Sequence, residues 1–213
     1  MSQKNHYGYT RIEEIANFGT HGVGLLFSIV GFVLLIVAAL GEGFGMLFSF
    51  TIYGLSLVAL YFSSTMYHFS KNLKRKRIFQ IFDHCCIFLL IAGTYTPFMI
   101  LALDIQLGMT VLMVIWTLAF LGILMTLSKS KKFKSLRIQL CVVMGWLVLL
   151  ASNQMVSALP WNAILWLLAG GVFYSLGIIA YLLKSLHLNH ALWHLFVMAG
   201  SASHFISIYF YLS

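Results

Sequence analysis

Charge is what this sequence is shortest of. Only 5 of its 213 residues are acidic, and charged residues make up 8% of the chain, against about 25% in ordinary soluble proteins. With 61% apolar residues, such a chain has too little charge to keep its surface in water, so the excess must face lipid. Soluble classes are thereby excluded, and the chain reads as an integral membrane protein. Cysteine is scarce too. Cys85, Cys86 and Cys141 all lie inside apolar stretches, which excludes a disulfide framework and a CxxC metal knuckle and leaves small buried side chains. No Pro- or Ser-rich linker, low-complexity tract or internal repeat interrupts the chain, so there is no room for a second, soluble domain. The alternation over about 10 residues that marks a membrane barrel is also missing. A cleavable signal is not expected, because the first 18 residues are polar and the run that follows is long enough to span.

Long apolar runs are what the sequence does have. A spanning helix needs about 20 mostly apolar residues. Seven stretches qualify, at roughly 20–40, 44–68, 79–102, 107–128, 138–158, 161–183 and 191–212. The expected fold is therefore all-α: one seven-helix transmembrane domain over residues 1–213. Its basic residues alternate between connections. Lys4 and Arg11 precede the first run. Lys71, Lys74, Arg75, Lys76 and Arg77 lie between the second and third. Lys129, Lys131, Lys132, Lys134 and Arg137 lie between the fourth and fifth, and Lys184 between the sixth and seventh. The positive-inside rule then places the N-terminus, with a short segment 1–18, in the cytoplasm and the C-terminus outside. The net charge of +8 reads accordingly as orientation and contact with anionic headgroups, and nucleic acid is not an expected partner.

Sorted by depth, the ionisable residues collect at one boundary. His68 closes the second run, Asp83 lies about one turn into the third, and His190 and His194 open the seventh with the i,i+4 spacing that aims both at one face. Glu14, Asn17 and His21 form a stripe at i, i+3 and i+7 where the first run begins. Three neutral imidazoles with an open fourth position are the pattern of a catalytic zinc site. Asp83 is placed either to bind the metal directly or to hold and deprotonate a water there. Ser64, one turn before His68, could donate to that water or to a substrate carbonyl. A buried ionisable group costs about 2.5–3.5 kcal/mol even on lenient insertion scales, which favours a functional reading of the cluster.

The remaining histidines have weaker claims. His187, three residues before His190, is a rival ligand. His84 is rotated about 100° from Asp83 and is expected to face elsewhere. His204 lies about 15 Å deeper than His194 by helix rise and is expected to hydrogen-bond within the bundle. His6 carries no signal, and the methionines read as packing. Pro97 is expected to kink the third helix and free a carbonyl for Thr94 or a neighbouring helix.

With these residues in place, the chain resembles the hemolysin III family, the bacterial branch of the progestin and adipoQ receptor superfamily. The first helix carries E-x-x-N-x-x-[ST]-H as Glu14, Asn17, Thr20 and His21; the second carries S-x-x-x-H as Ser64 and His68; Asp83 follows in the third. The seventh carries H-x-x-x-H within "HALWHLFVMAGSASHF" from His190. The resemblance covers essentially the whole chain. It implies a zinc ion on His68, His190 and His194, reached by Asp83 through water.

The expected activity is zinc-dependent hydrolysis of a lipid amide or ester at the cytoplasmic face of the cell membrane. Asp83 would act as base and Ser64 would help to stabilise the oxyanion; ceramide-like amides enter by analogy with related membrane hydrolases. A regulator or sensor of membrane state with a structural zinc is the alternative, ahead of a cytolysin. A transporter fits less well, since that class places ions near the midplane between repeats. Membrane lipids are the expected partners, and the sequence does not fix an oligomeric state.

Overall fold

The structure, a computed structural model, describes residues 8–128, 130 and 132–213. Lys4, His6, Lys129 and Lys131 lie outside the described residues. Helices dominate in the order α1 (Arg11–Ala39), α2 (Phe44–Phe69), α3 (Leu73–Leu101), α4 (Ile105–Leu127), α5 (Phe133–Trp146), a 3-10 turn (Leu147–Ala151), α6 (Ser152–Ala158), α7 (Trp161–Leu182) and α8 (Asn189–Tyr211). With α5, the turn and α6 taken as one segment, Phe133–Ala158, seven helices among the described residues are long and apolar enough to cross a membrane. This is a multi-pass membrane protein. Leu26, Phe27, Leu150 and Phe210 are among the large apolar side chains left on the outside, where lipid replaces water as solvent.

Among the helices that begin earlier than the apolar runs indicated, α1 and α3 are extended through polar sequence by local capping. At α1 the Thr10 hydroxyl accepts from the Glu13 amide (3.3 Å), and the Glu13 carboxylate accepts from the Thr10 amide (2.7 Å). This reciprocal box satisfies two end donors and starts the helix at Arg11, so Glu14 is already helical. At α3 the Asn72 side chain accepts from the Lys74 and Arg75 amides, and the helix starts at Leu73. Asp83 is therefore nearly three turns into α3, not one.

The fifth span is broken where the sequence indicated one helix. The Tyr95 hydroxyl donates to the Met144 carbonyl and accepts from the Val148 amide, each at 2.7 Å. Those two backbone groups would otherwise bond each other across one α-helical turn, and a side chain inserted there interrupts the ladder. In α3, Pro97 sits inside a helix that continues on both sides. Thr94 donates to the Leu90 carbonyl instead (2.8 Å), so it does not serve Gly93, the carbonyl that a proline at 97 leaves unbonded.

Neighbours in sequence pack as neighbours in space, most extensively α2 with α1 and α3, and α7 with α8. Contact between α1 and α8 closes the ring. Close approach of α1 and α2 depends on Gly24, where an added Cβ would stand 2.6 Å from the Tyr61 ring; small residues serve helix interfaces in lipid in this way. The closure brings the start of α1, the end of α2 and the start of α8 together.

Candidate metal centre

His68 ends α2, and His190 and His194 occupy the first turns of α8. One ligand nitrogen from each lies within 4.8 Å of the others, an arrangement that could hold a metal ion. His194 is 1% and His68 5% exposed. Their hydrogen bonds decide which nitrogens are available. His68 Nδ1 lies 2.8 Å from Glu14 Oε2. A carboxylate accepts, so Nδ1 carries the proton and the lone pair is on Nε2, which is buried with no hydrogen-bond partner. His194 Nδ1 lies 3.2 Å from the Asn17 carbonyl and 3.0 Å from Thr20 Oγ1. The Thr20 hydrogen is directed at the Ala16 and Asn17 carbonyls (2.9 and 3.0 Å). His194 Nδ1 therefore donates as well, and its Nε2 keeps the lone pair. Both ring nitrogens of His190 are buried without a hydrogen-bond partner. Orphaned imidazole nitrogens facing one another in the interior are costly unless something binds them. The donor set thus fits a cation that takes nitrogen ligands.

The stripe on α1 supports these rings. Glu14 bonds His68 through Oε2 and the Lys76 ammonium through Oε1 (2.9 Å). Lys76, 4% exposed, also donates to the Tyr67 carbonyl (2.8 Å). A chain of charge thus runs from Lys76 through Glu14 to His68, the arrangement that orients a ligand imidazole and raises its basicity. Asn17 acts through its backbone carbonyl, while its side-chain amide makes no hydrogen bond. His21 lies flat on His194, centroids 3.5 Å apart and planes 14° apart, with its edge to Tyr61; it belongs to the wall and not to the three-histidine group. Tyr9 approaches His68 and His190 with centroids at 5.6 and 5.2 Å. Its burial, and then the nearby Tyr181, Glu14 and Asp83, push the phenol well above its ordinary pKa.

Asp83 stands outside the histidine group, so direct ligation is not the arrangement found. Its carboxyl is 7% exposed and borders a cavity of about 150 Å³ that His21 and His194 also line. Ser64 is its neighbour, with a buried hydroxyl that completes no hydrogen bond of ordinary geometry. His84 borders the same cavity, contrary to the expectation from its rotation: the void is wide enough for adjacent positions of α3 to share it. His187 is exposed and takes no part. His204 donates from Nε2 to the Leu167 carbonyl (3.1 Å), as its depth implied.

The cavity continues inward. A second of about 100 Å³ shares Cys141 and Trp193 with it, and a third of about 40 Å³ shares Tyr95 and Trp146 with the second. Together they follow the fifth span from Arg137 in α5 to Val148 in the 3-10 turn, about 16 Å by helix rise. Their walls come from α3, α5, α7 and α8 and are mainly apolar. The sequence did not reveal Lys76, Tyr9 or this shaft. Lys76 was hidden among four other basic residues, Tyr9 lies ahead of the apolar runs, and a void leaves no mark on hydropathy.

Comparison with known proteins places the chain. A family model described as "Haemolysin-III related" matches residues 9–205. The chain is 42% identical over 200 residues to "Hemolysin-3" of Bacillus cereus, covering 93% of this chain and 91% of the relative. It is 43% identical over 204 residues to a "Hemolysin-3 homolog" of Bacillus subtilis (strain 168), covering 95% and 96%. A more distant relative is the "Monocyte to macrophage differentiation factor" of Homo sapiens, 29% identical over 214 residues, covering 97% and 87%; it agrees with a place in the progestin and adipoQ receptor superfamily. No solved structure matches significantly. Match length and identity with the two Bacillus proteins agree with the motifs and the seven spans: this chain belongs to the hemolysin III family.

Proposed function

We propose that this protein is a zinc-dependent hydrolase of a lipid amide or ester, working at the cytoplasmic end of its bundle. The observation that carries the reading is the meeting of three imidazoles, those of His68 and His190 with bare, buried nitrogens, beside an apolar shaft whose wall holds one carboxylate, Asp83. His68, His190 and His194 would hold the ion, and three histidines are a catalytic zinc set. Zinc in such a site supplies Lewis acidity, polarising a carbonyl and activating water. Glu14 and Thr20 fix two of the rings so that Nε2 of each is presented, which spares the site reorganisation during reaction. The shaft would take the hydrocarbon chain, leaving the carbonyl near His194 and Asp83. Asp83 would accept a proton from the attacking water as its oxygen bonds to the carbonyl carbon. As the C–N or C–O bond breaks, that proton would pass to the leaving amine or alcohol. Ser64, with a hydroxyl not committed elsewhere, would donate to the oxyanion.

One observation favours a second reading, a sensor with structural zinc. The Tyr9 ring lies against His68 and His190, which shields the site from its own end of the bundle. The two readings part at Asp83. We expect about one zinc per chain, reduced in His68→Ala, His190→Ala and His194→Ala and unchanged in His187→Ala and His204→Ala. Asp83→Asn should keep its zinc and lose lipid-amide turnover. Zinc retained by all three ligand variants would refute the metal site, and full turnover in zinc-replete Asp83→Asn would remove the base. A zinc-loaded wild type that is inert across a broad lipid panel would leave the sensor.

A further inference from the structure

The outer end of the shaft carries a feature that neither the metal centre nor an apolar chain requires. Lys134 and Arg137, one turn apart on α5, line the cavity that holds Asp83. Lys184, at the end of α7, lies with its ammonium 3.9 Å over the ring of Tyr181, which lines that cavity too. Burial, and then the Lys134 charge, hold the Lys184 pKa below its ordinary value, so two like charges are crowded at this rim. Among the described residues no carboxylate forms an ion pair with any of these three cations. Among the described residues the ion pairs of basic side chains with carboxylates are those of His68 and Lys76 with Glu14, and Arg137 makes no side-chain hydrogen bond. Glu42 and Asp104 lie in connections at the other end of the bundle.

Orientation alone asks for basic residues anywhere in the loop; it does not ask that they border a cavity. An unpaired guanidinium beside an apolar shaft presents a fork of donors matched to an oxyanion, while the shaft behind it takes hydrocarbon. We propose that this rim selects lipids with an anionic headgroup, phosphate or carboxylate, held by Arg137 and Lys134 with Lys184 alongside, while the chain lies in the shaft. The inference deepens the hydrolase reading by naming a substrate class. It concerns binding, so it can fail while turnover stands, and can hold in a protein without turnover.

The test is thermal stability of the purified, full-length protein in an uncharged detergent, titrated with dioctanoyl phosphatidylglycerol, dioctanoyl phosphatidylcholine or sodium phosphate, because a ligand of the folded state raises Tm with concentration. Phosphatidylglycerol should half-saturate at about one-tenth the concentration of phosphatidylcholine, the scale expected for one or two cations at a lipid phosphate. Lys134→Gln with Arg137→Gln should abolish the preference and leave phosphatidylcholine binding intact, which also shows that the variant is folded. Arg75→Gln, exposed on the same side and away from the cavity, should keep the preference. Equal half-saturation by the two lipids in wild type overturns the proposal, as does a preference that survives the double variant or vanishes in Arg75→Gln. Stabilisation by free phosphate as strong as by phosphatidylglycerol would assign the rim to a soluble anion and overturn the lipid assignment.

Discussion

His68 is bonded by Glu14, and Glu14 in turn is paired with Lys76. Lys76 is buried within a spanning helix, a location that costs free energy unless the charge is paired, and its partner is the carboxylate that bonds His68. Removal of the ammonium takes one cation from Glu14, so the acceptor of His68 is held less firmly. Lys76→Met should therefore weaken zinc binding by about 10–100-fold, the range for residues that hold a ligand in place. A chelator-competition titration measures this, with Glu14→Gln as the companion variant. Unchanged affinity in both would mean that the Lys76–Glu14 pair only joins α3 to α1. The histidines themselves were legible in the sequence, because depth and i,i+4 spacing survive translation into a helix. Lys76 was not, since nothing local distinguishes it from Lys74 or Arg75; only the early start of α3 turns it inward. Thr20 was visible as part of a motif, but its service as acceptor for His194 depends on a contact between the first and last spans.

At the scale of elements, apolar run length gave the number of spans and misplaced their ends. Hydropathy reports where a chain meets lipid, whereas capping decides where a helix begins, and the Thr10–Glu13 box and the Asn72 cap both lie in polar sequence. The break in the fifth span was hidden for a different reason: Leu147–Ala151 is uniformly apolar, and the interruption is imposed by Tyr95 from α3. Tyr95→Phe removes the hydroxyl that serves both Met144 and Val148. If the break is held by that hydroxyl, a buried carbonyl and a part-buried amide each lose a partner and stability should fall by about 1–3 kcal/mol, read as a lower Tm in detergent. A Tm equal to or above wild type would instead show that the span recovers its own Val148-to-Met144 bond and that the helix, not the tyrosine, is the stronger determinant. Because α5 lines the shaft along its length, such a straightening should also alter lipid binding there.

The whole molecule is asymmetric along its axis. The three clustered histidines, their supporting stripe on α1 and the cationic rim gather at one end, and Glu42 and Asp104 lie in connections at the other. That end is where every basic residue of the chain falls in sequence, either ahead of or at the start of α1 or beside the connections α2–α3, α4–α5 and α7–α8. Cytoplasmic loops hold the excess of Lys and Arg, and an anionic inner leaflet draws such clusters to it at about 1 kcal/mol per residue. Orientation and the proposed function are therefore coupled: if the basic end is cytoplasmic, the proposed site would face lipids of the inner leaflet, and the α8 C-terminus would lie on the opposite side. A reporter fused after Ser213 should read as extracytoplasmic, and one inserted at Ser130, between α4 and α5, as cytoplasmic. Moving charge should move the protein. Neutralising Lys71, Lys74, Arg75 and Arg77 to glutamine, while sparing buried Lys76, should produce a measurable fraction of inverted chains in the Ser213 reporter, since short loops set orientation by their Lys and Arg content. A Ser213 fusion that reads as cytoplasmic in the unaltered protein would refute this orientation and transfer the metal centre to the outer leaflet.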